Sequence, residues 1–151
     1  MKYQSIHSPF GDLTLVEDEG TIIRLDWFWS NQQDQSPLLD TATRQLSEYA
    51  AGTRQTFDLP LNPRGSPFQR DVCQMMSAIP FGNTRTYGEI AKTLGASAQA
   101  VGRACGSNPI AIIIPCHRVM GAKGLTGFSG KGGIETKVAL LRHEGAANLL
   151  I

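Results

Sequence analysis

The feature that most constrains the fold of this chain is a proline-rich connector near its middle. Residues 58–67 read D-L-P-L-N-P-R-G-S-P, with prolines at positions 60, 63 and 67. Because proline lacks a backbone N–H and restricts the residue before it, neither a helix nor a central strand can run through this segment. The connector therefore predicts two domains, residues 1–62 and residues 63–151.

The charge changes sign at the same connector. Residues 1–60 contain four basic and nine acidic residues, whereas residues 61–151 contain ten basic and four acidic ones. A basic half favours binding to a polyanion such as nucleic acid, although an uneven solvated surface would give the same count. The sequence has no run of about 20 apolar residues and no signal-peptide core near its start. We therefore expect a cytoplasmic protein that does not enter a membrane.

The N-terminal domain has the pattern of a small antiparallel meander followed by a helix. Strands are predicted over residues 3–7, 13–16 and 21–29, with turns between them. Trp27 and Trp29 would share one face of the third strand, so we expect them to pack in the core or against the other domain rather than to stack on bases. Apolar residues at helical spacing over 38–51 predict the helix.

The C-terminal domain has the pattern of a helix-turn-helix. Its predicted helices cover residues 67–79, 87–94, 97–105 and 135–143. Thr86 and Glu89 form a capping box at the start of the second helix, and Ser97 caps the third after a tight glycine turn. The third helix carries Gln99 and Arg103 among small residues. It is expected either to pack tightly inside the protein or to insert into a DNA groove.

The chain has three cysteines, Cys73, Cys105 and Cys116. They are too few and too unevenly spaced for a disulfide framework, and neither they nor the three histidines have the spacing of a metal site. Most such cysteines are small buried apolar residues. Cys116 differs, because Pro115 and an apolar segment precede it and His117 and Arg118 follow it. These two neighbours are expected to place the pKa of Cys116 below the value of about 8.5 for a free thiol. The alternative is a buried cysteine beside a surface His-Arg pair.

The segment at 108–119, N-P-I-A-I-I-I-P-C-H-R-V, resembles the signature of the methylated-DNA–protein-cysteine methyltransferases, also called O6-alkylguanine-DNA alkyltransferases. The likeness covers residues 66–151 and includes P-F-Q at 67–69, I-P-F-G at 79–82, T-Y-G-E-I-A at 86–91, G-F-S-G at 127–130 and L-L-R-H-E-G at 140–145. It implies an α/β fold of the α+β type. A small ribonuclease-H-like meander plus helix, which residues 1–62 resemble more loosely, would precede a winged helix-turn-helix-like alkyltransferase domain.

The resemblance also implies a role for each matching residue. Cys116 would attack the alkyl carbon of O6-alkylguanine, or of O4-alkylthymine, while His117 takes the thiol proton through water and Glu144 orients His117. Tyr87 would protonate the guanine leaving group at N3, and Asn108 would bond the backbone and the sulfur. The base pocket would be lined by Pro115, Phe128, Ser129 and Gly130, and DNA contacts would come from Thr86, Ser97, Gln99, Ala100, Arg103 and Arg118.

A protein of this family is a DNA repair protein that is used once, because nothing in the sequence could cleave the thioether product. The resemblance implies a monomer that needs no metal and no cofactor, and whose partner is double-stranded DNA containing O6-alkylguanine. Guanine inside a duplex is unreachable, so the nucleotide must be flipped out. Gln99 stands where the family usually has an arginine that fills the resulting gap, and Arg103 lies one turn later on the same helix face.

Three alternative functions are open at this point. An alkyltransferase-like protein would bind the damage with weak transfer, but that group carries tryptophan in place of the cysteine. A winged-helix regulator with an incidental cysteine would not require His117, Tyr87 and Glu144 together. A cysteine hydrolase would turn over many times, which the stoichiometry of the reaction would reveal.

Overall fold

The computed structural model describes residues 1–122 and 133–146 and divides the chain into two compact units, Met1–Arg64 and Gly65–Ile151. The predicted pocket residues Phe128, Ser129 and Gly130 lie outside the described residues. Among the helices that the structure describes, none has the length and apolar character that crossing a membrane requires.

The first unit is built on the predicted antiparallel meander. Strands β1 (Lys2–Ile6), β2 (Leu13–Asp18) and β3 (Thr21–Asp26) pair in the order β1-β2-β3. Helix α1 (Pro37–Ala50) packs on this sheet and buries the apolar stripe that the sequence predicts. The connector joins the unit as well, because Ile22 exchanges backbone hydrogen bonds of 2.8 Å with Pro60 and Asn62.

The prediction that both tryptophans pack on one face is wrong for Trp29, whereas Trp27 is half-buried. Strand β3 ends at Asp26, so the alternation that would place Trp27 and Trp29 on one buried face does not continue. Trp29 is 45% exposed and stacks on the ring of His7 at 4.4 Å, while Phe28 is 55% exposed. Thr14 accounts for the bend, because its hydroxyl donates to the carbonyl of Phe28 at 2.6 Å instead of leaving it to a strand partner.

The second unit contains the predicted helices. They are α2 (Pro67–Ser77), α3 (Tyr87–Leu94), α4 (Ala98–Gly106) and α5 (Ile134–His143). The capping box at Thr86 and Glu89 is confirmed, and Gly95 ends α3 in the left-handed region with φ of 65°. Helices α2, α3 and α4 pack on one another around buried apolar side chains: Val72, Met76, Ile90 and Val101.

A two-stranded parallel pairing, which the sequence pattern does not predict, connects the helix-turn-helix to the cysteine segment. Strands β4 (Arg85–Thr86) and β5 (Val119–Met120) lie side by side, with Arg85 opposite Val119 and Thr86 opposite Met120. Because Thr86 is also the N-cap of α3, this pairing places the first residue of α3 close to the strand that follows Cys116. Tyr87, the first residue of α3, directly follows this pairing.

Candidate active site

The apolar segment before Cys116 is a tight buried turn. Residues 110–114 are at most 6% exposed, and the Ile114 N–H donates to the Ile110 carbonyl at 2.9 Å. Asn108 closes the turn, since its Nδ2 donates to the Ile114 carbonyl at 2.8 Å and its Oδ1 accepts from the Ile110 N–H at 3.0 Å. Ile112 has φ of 70°, which costs a β-branched residue about 1–3 kcal/mol. The surrounding packing therefore holds a strained backbone three positions before the rigid Pro115.

Cys116 begins a 3-10 turn that runs to Arg118. Its N–H donates to the Ile114 carbonyl at 2.9 Å, and the Arg118 N–H donates to the Pro115 carbonyl at 3.0 Å. Cys116 is only 4% exposed, and Asn108 hydrogen-bonds its sulfur. One asparagine thus positions both the turn and the thiol.

A buried cluster of His117, Arg118 and Glu144 lies directly after the cysteine. Glu144, which follows the end of α5, accepts a hydrogen bond of 2.7 Å from His117 Nε2. Arg118 donates two hydrogen bonds to the same carboxylate, from Nε to Oε1 at 2.8 Å and from Nη2 to Oε2 at 2.9 Å. Its Nη1 donates to the Ile79 carbonyl at 2.7 Å. This paired geometry keeps Glu144 ionised in a site that excludes water.

The cluster also decides the protonation of His117. Burial lowers the pKa of His117 from its ordinary value of 6.5, and this outweighs the opposing effect of Glu144, so the ring is neutral at neutral pH. An ionised carboxylate only accepts hydrogen bonds, so the ring proton sits on Nε2 and Nδ1 keeps a free lone pair. Nδ1 is buried and has no hydrogen-bond partner among the described residues. His117 therefore presents Nδ1 as a base.

The expectation for the pKa of Cys116 is wrong in direction. Burial raises the pKa of this thiol above its ordinary value, and Arg118 does not offset the effect because its charge is paired with Glu144. The effects that oppose burial come from the Asn108 hydrogen bond and from the positive charge of Lys137. The resting cysteine is held as a thiol that needs a base.

Lys137 is a site residue that the sequence reasoning missed. It lies on α5, is 1% exposed and donates from Nζ to the Val119 carbonyl at 2.6 Å, with Nζ 5.9 Å from the centre of the Tyr87 ring. A signal was present in the helical spacing. Lys137, Leu140, Leu141 and Glu144 occupy positions i, i+3, i+4 and i+7, so two charged residues stand on an apolar stripe where solvated charges do not occur.

The assignment of Arg118 to the DNA-contacting set needs correction. Arg118 is 6% exposed, and its contacts with Glu144, with the Ile79 carbonyl and with the Phe81 ring at 5.8 Å are internal. A phosphate contact requires a solvent-facing cation, whereas this guanidinium is paired with a carboxylate 26 positions away in sequence. Sequence alone cannot place such a distant partner.

The remaining DNA-contact candidates on α4 lie on its exposed face, opposite the residues that it packs into the core. Val101, Ala104 and Cys105 are buried, while Gln99 and Arg103, one turn apart, are exposed. The other candidates lie near the starts of α3 and α4, where Thr86 and Ser97 serve as N-caps and Ala100 is half-buried. These five residues therefore lie at the starts of α3 and α4 and on the exposed face of α4.

Within residues 1–122 and 133–146, no three His, Cys, Asp or Glu side chains form a group that could hold a metal ion.

Comparisons with known proteins agree across the whole chain. The family described as "6-O-methylguanine DNA methyltransferase, ribonuclease-like domain" matches residues 1–63, and its "DNA binding domain" matches residues 67–146. A methylated-DNA–protein-cysteine methyltransferase of Methanosarcina acetivorans is 41% identical over 97% of this chain and 99% of its own length. The constitutive enzyme of Bacillus subtilis is 40% identical over 94% of each chain.

A solved structure gives the same result in three dimensions. Mycobacterium tuberculosis OGT in complex with DNA is 43% identical, with a TM-score of 0.86 over 97% of this chain and 94% of that one. The α+β fold and the order of the two domains correspond. The chain therefore belongs to the methylated-DNA–protein-cysteine methyltransferase family.

Proposed function

We propose that Cys116 accepts the alkyl group of O6-alkylguanine from double-stranded DNA, once per protein molecule. The observation that carries the proposal is the buried base next to a buried thiol: a neutral His117, oriented by Glu144, follows Cys116 in the same turn. A nucleophile with an adjacent, oriented base is the arrangement that activates a thiol. The family membership and the DNA complex of the Mycobacterium tuberculosis relative support DNA as the partner.

The reaction is a displacement at the alkyl carbon. His117 takes the proton of the Cys116 thiol at Nδ1, through an intervening water, and the thiolate attacks the carbon bound to O6. The new C–S bond forms as the C–O6 bond breaks. The electron pair of the broken bond leaves with guanine, which Tyr87 protonates at N3. The products are an unmodified guanine and a thioether at Cys116, so the protein is spent after one event.

The role of α4 is to hold the DNA while the base is extruded. Its exposed face carries Gln99 and Arg103, and its N-cap Ser97 lies near Ala100 at the start of the helix. Extruding a nucleotide costs a few kcal/mol, which contacts in the groove and to the backbone must offset. We assign Thr86, at the start of α3, to the same surface. Pro115, together with Phe128, Ser129 and Gly130, is assigned to the base pocket.

The test is the intact mass of the protein after incubation with an O6-methylguanine duplex, followed by a peptide map. We expect one methyl group per chain, on Cys116, with no further transfer when substrate is in excess. Cys116→Ser should accept none, whereas the matched control Cys105→Ser, a buried thiol 11 positions earlier, should still be methylated at Cys116. Repeated turnover, or a label on Cys73 or Cys105, would contradict the proposal.

Further measurements on the same protein test related expectations. Binding without transfer would favour the damage-binding alternative. A parallel incubation with O4-methylthymine measures whether that lesion is also a substrate. We expect a cytoplasmic monomer, and light scattering of the free protein should give the mass of one chain, 16.4 kDa.

A further inference from the structure

The buried lysine on α5 lacks a carboxylate partner. Lys137 is 1% exposed, and its Nζ donates to one backbone carbonyl, that of Val119, at 2.6 Å. Burying an ammonium group is costly unless an opposite charge compensates it. A nearby anion would therefore stabilise the ammonium group of Lys137 in this position.

None of the described aspartate or glutamate side chains of this unit is available to pair with Lys137. Residues 65–151 contain four acidic side chains, of which Asp71, Glu89 and Glu135 are exposed. The fourth, Glu144, is buried but is held by both Arg118 and His117. Residues 123–132 and 147–151 contain no aspartate or glutamate at all. Within the described part of this unit, Lys137 thus has no carboxylate left to pair with.

The groups near Lys137 that can become anionic are two thiols and the phenol of Tyr87, whose ring centre lies 5.9 Å from Nζ. Burial lowers the pKa of Lys137, and negative charge at Cys116 or at Cys105 of α4 would oppose that effect. Burial raises the pKa of Cys105 to about 12, so that thiol keeps its proton at neutral pH. Burial raises the pKa of Cys116 too, but there a hydrogen bond from Asn108 and the positive charge of Lys137 oppose the effect and favour the thiolate.

The other charged groups around the cysteine are already balanced. Arg118 and Glu144 neutralise each other, and His117 is uncharged at neutral pH. Besides Cys105 and Tyr87, the titratable neighbour is Cys73 of α2, a buried thiol whose pKa is also raised by burial. A thiolate at Cys116 and the ammonium of Lys137 would complete a site with no net charge.

We propose that Lys137 is the counter-ion of the Cys116 thiolate, and that it speeds alkyl transfer by stabilising this reactive form of the sulfur. Lys137 acts through Cys116 and not on the alkylated base. The inference rests on the proposed function, in which Cys116 is the acceptor. His117 removes the proton, and Lys137 makes the resulting anion stable enough to attack.

The experiment separates the charge of Lys137 from its hydrogen bond. Lys137→Gln keeps a donor for the Val119 carbonyl without the charge, Lys137→Met removes both, and Lys137→Arg keeps the charge. The pKa of Cys116 is measured from the ultraviolet absorbance of the thiolate, as the difference between each variant and the same variant carrying Cys116→Ser. Lys92→Met, which removes an exposed lysine of the same unit, is the matched control.

We expect the pKa of Cys116 to rise by about one unit or more in the Gln and Met variants, which is about tenfold less thiolate at a given pH below it. The pH profile of single-turnover transfer should move upward by the same amount. The Arg variant should retain most of the wild-type behaviour, and Lys92→Met all of it. A pKa in Lys137→Gln that matches the wild-type value would overturn the proposal, because a structural hydrogen bond alone would then explain the lysine.

A reciprocal measurement leaves Lys137 in place and so does not depend on the folding of its variants. Coupling between two sites acts equally in both directions, so Cys116→Ser should lower the pKa of Lys137 measured by NMR. An unchanged lysine pKa would overturn the counter-ion role. The thiolate titration uses no DNA, so a failure of the methyl-transfer experiment would refute the proposed function without deciding this one. Normal transfer with an unshifted thiol pKa would refute only the role of Lys137.

Discussion

Replacing Arg118 with methionine tests the most heavily bonded side chain of the site. The change removes two hydrogen bonds to Glu144 and one to the Ile79 carbonyl, while methionine retains an unbranched apolar stem. Glu144 is 4% exposed, so its carboxylate would stay buried with His117 as its remaining partner in the cluster. Removing one partner of a buried ion pair costs about 3–5 kcal/mol. That is a large part of the total stability of about 5–15 kcal/mol that is usual for a domain.

The assay is urea unfolding followed by circular dichroism. We expect Arg118→Met to lower the free energy of unfolding by about 3 kcal/mol or more. The double variant Arg118→Met/Glu144→Gln should recover part of this loss, because an uncharged amide is cheaper to bury than an unpaired carboxylate. Arg118→Lys is the charge-matched control. Its free energy of unfolding should lie between those of wild type and Arg118→Met, because a lysine keeps the charge but cannot form two parallel hydrogen bonds to the carboxylate.

The result that would refute this reasoning is the one expected of a DNA contact. A phosphate-binding arginine can be lost with little effect on stability, and its loss weakens DNA binding and lowers the salt dependence of binding by about one contact. If Arg118→Met unfolds within about 1 kcal/mol of wild type and shows that change in salt dependence, Arg118 faces DNA and the buried cluster is wrong.

The remaining predictions concern α4, the protonation of His117 and the alkylated state. Gln99→Arg should raise the transfer rate with duplex O6-methylguanine but not with the free base O6-benzylguanine, because a longer cation fills the gap left by the flipped base. If Arg103 already fills that gap, Arg103→Ala is the damaging change, and equal effects on both substrates would exclude a role in flipping. Because the pKa of His117 is lowered from 6.5 by folding, its contribution to stability is complete above pH 6.5 and is lost as the pH falls below it; urea midpoints should therefore fall more steeply with acid in wild type than in His117→Gln. Methylation of Cys116 gives a thioether that cannot form the thiolate, so at a pH above the pKa of Cys116 it should lower the melting temperature of wild type more than that of Lys137→Met. Equal losses would argue against the ion pair.

Much of the local structure could be predicted because it depends on neighbouring residues. The meander, the helices and the capping box at Thr86 follow from periodicity and from side chains within four positions of one another. The error at Trp27 and Trp29 arose where a longer-range contact intervenes, since Thr14 bonds the carbonyl of Phe28 and ends the strand pattern. The family resemblance likewise depended on a continuous segment, residues 108–119.

The electrostatics of the site are what only the tertiary structure decided. The order P-C-H-R in the sequence places Arg118 beside a cysteine, and from that order we expected a cation that lowers the thiol pKa. The family resemblance implied that the same cation contacts DNA. Folding brings Glu144 to Arg118 from 26 positions away, so the charge of Arg118 is paired inside the protein. It also buries Lys137 next to Cys116, where desolvation and a single opposite charge now compete. Sequence by itself determined which residue types are available for the chemistry; burial and distance, which depend on the whole fold, determined which of them carry a usable charge.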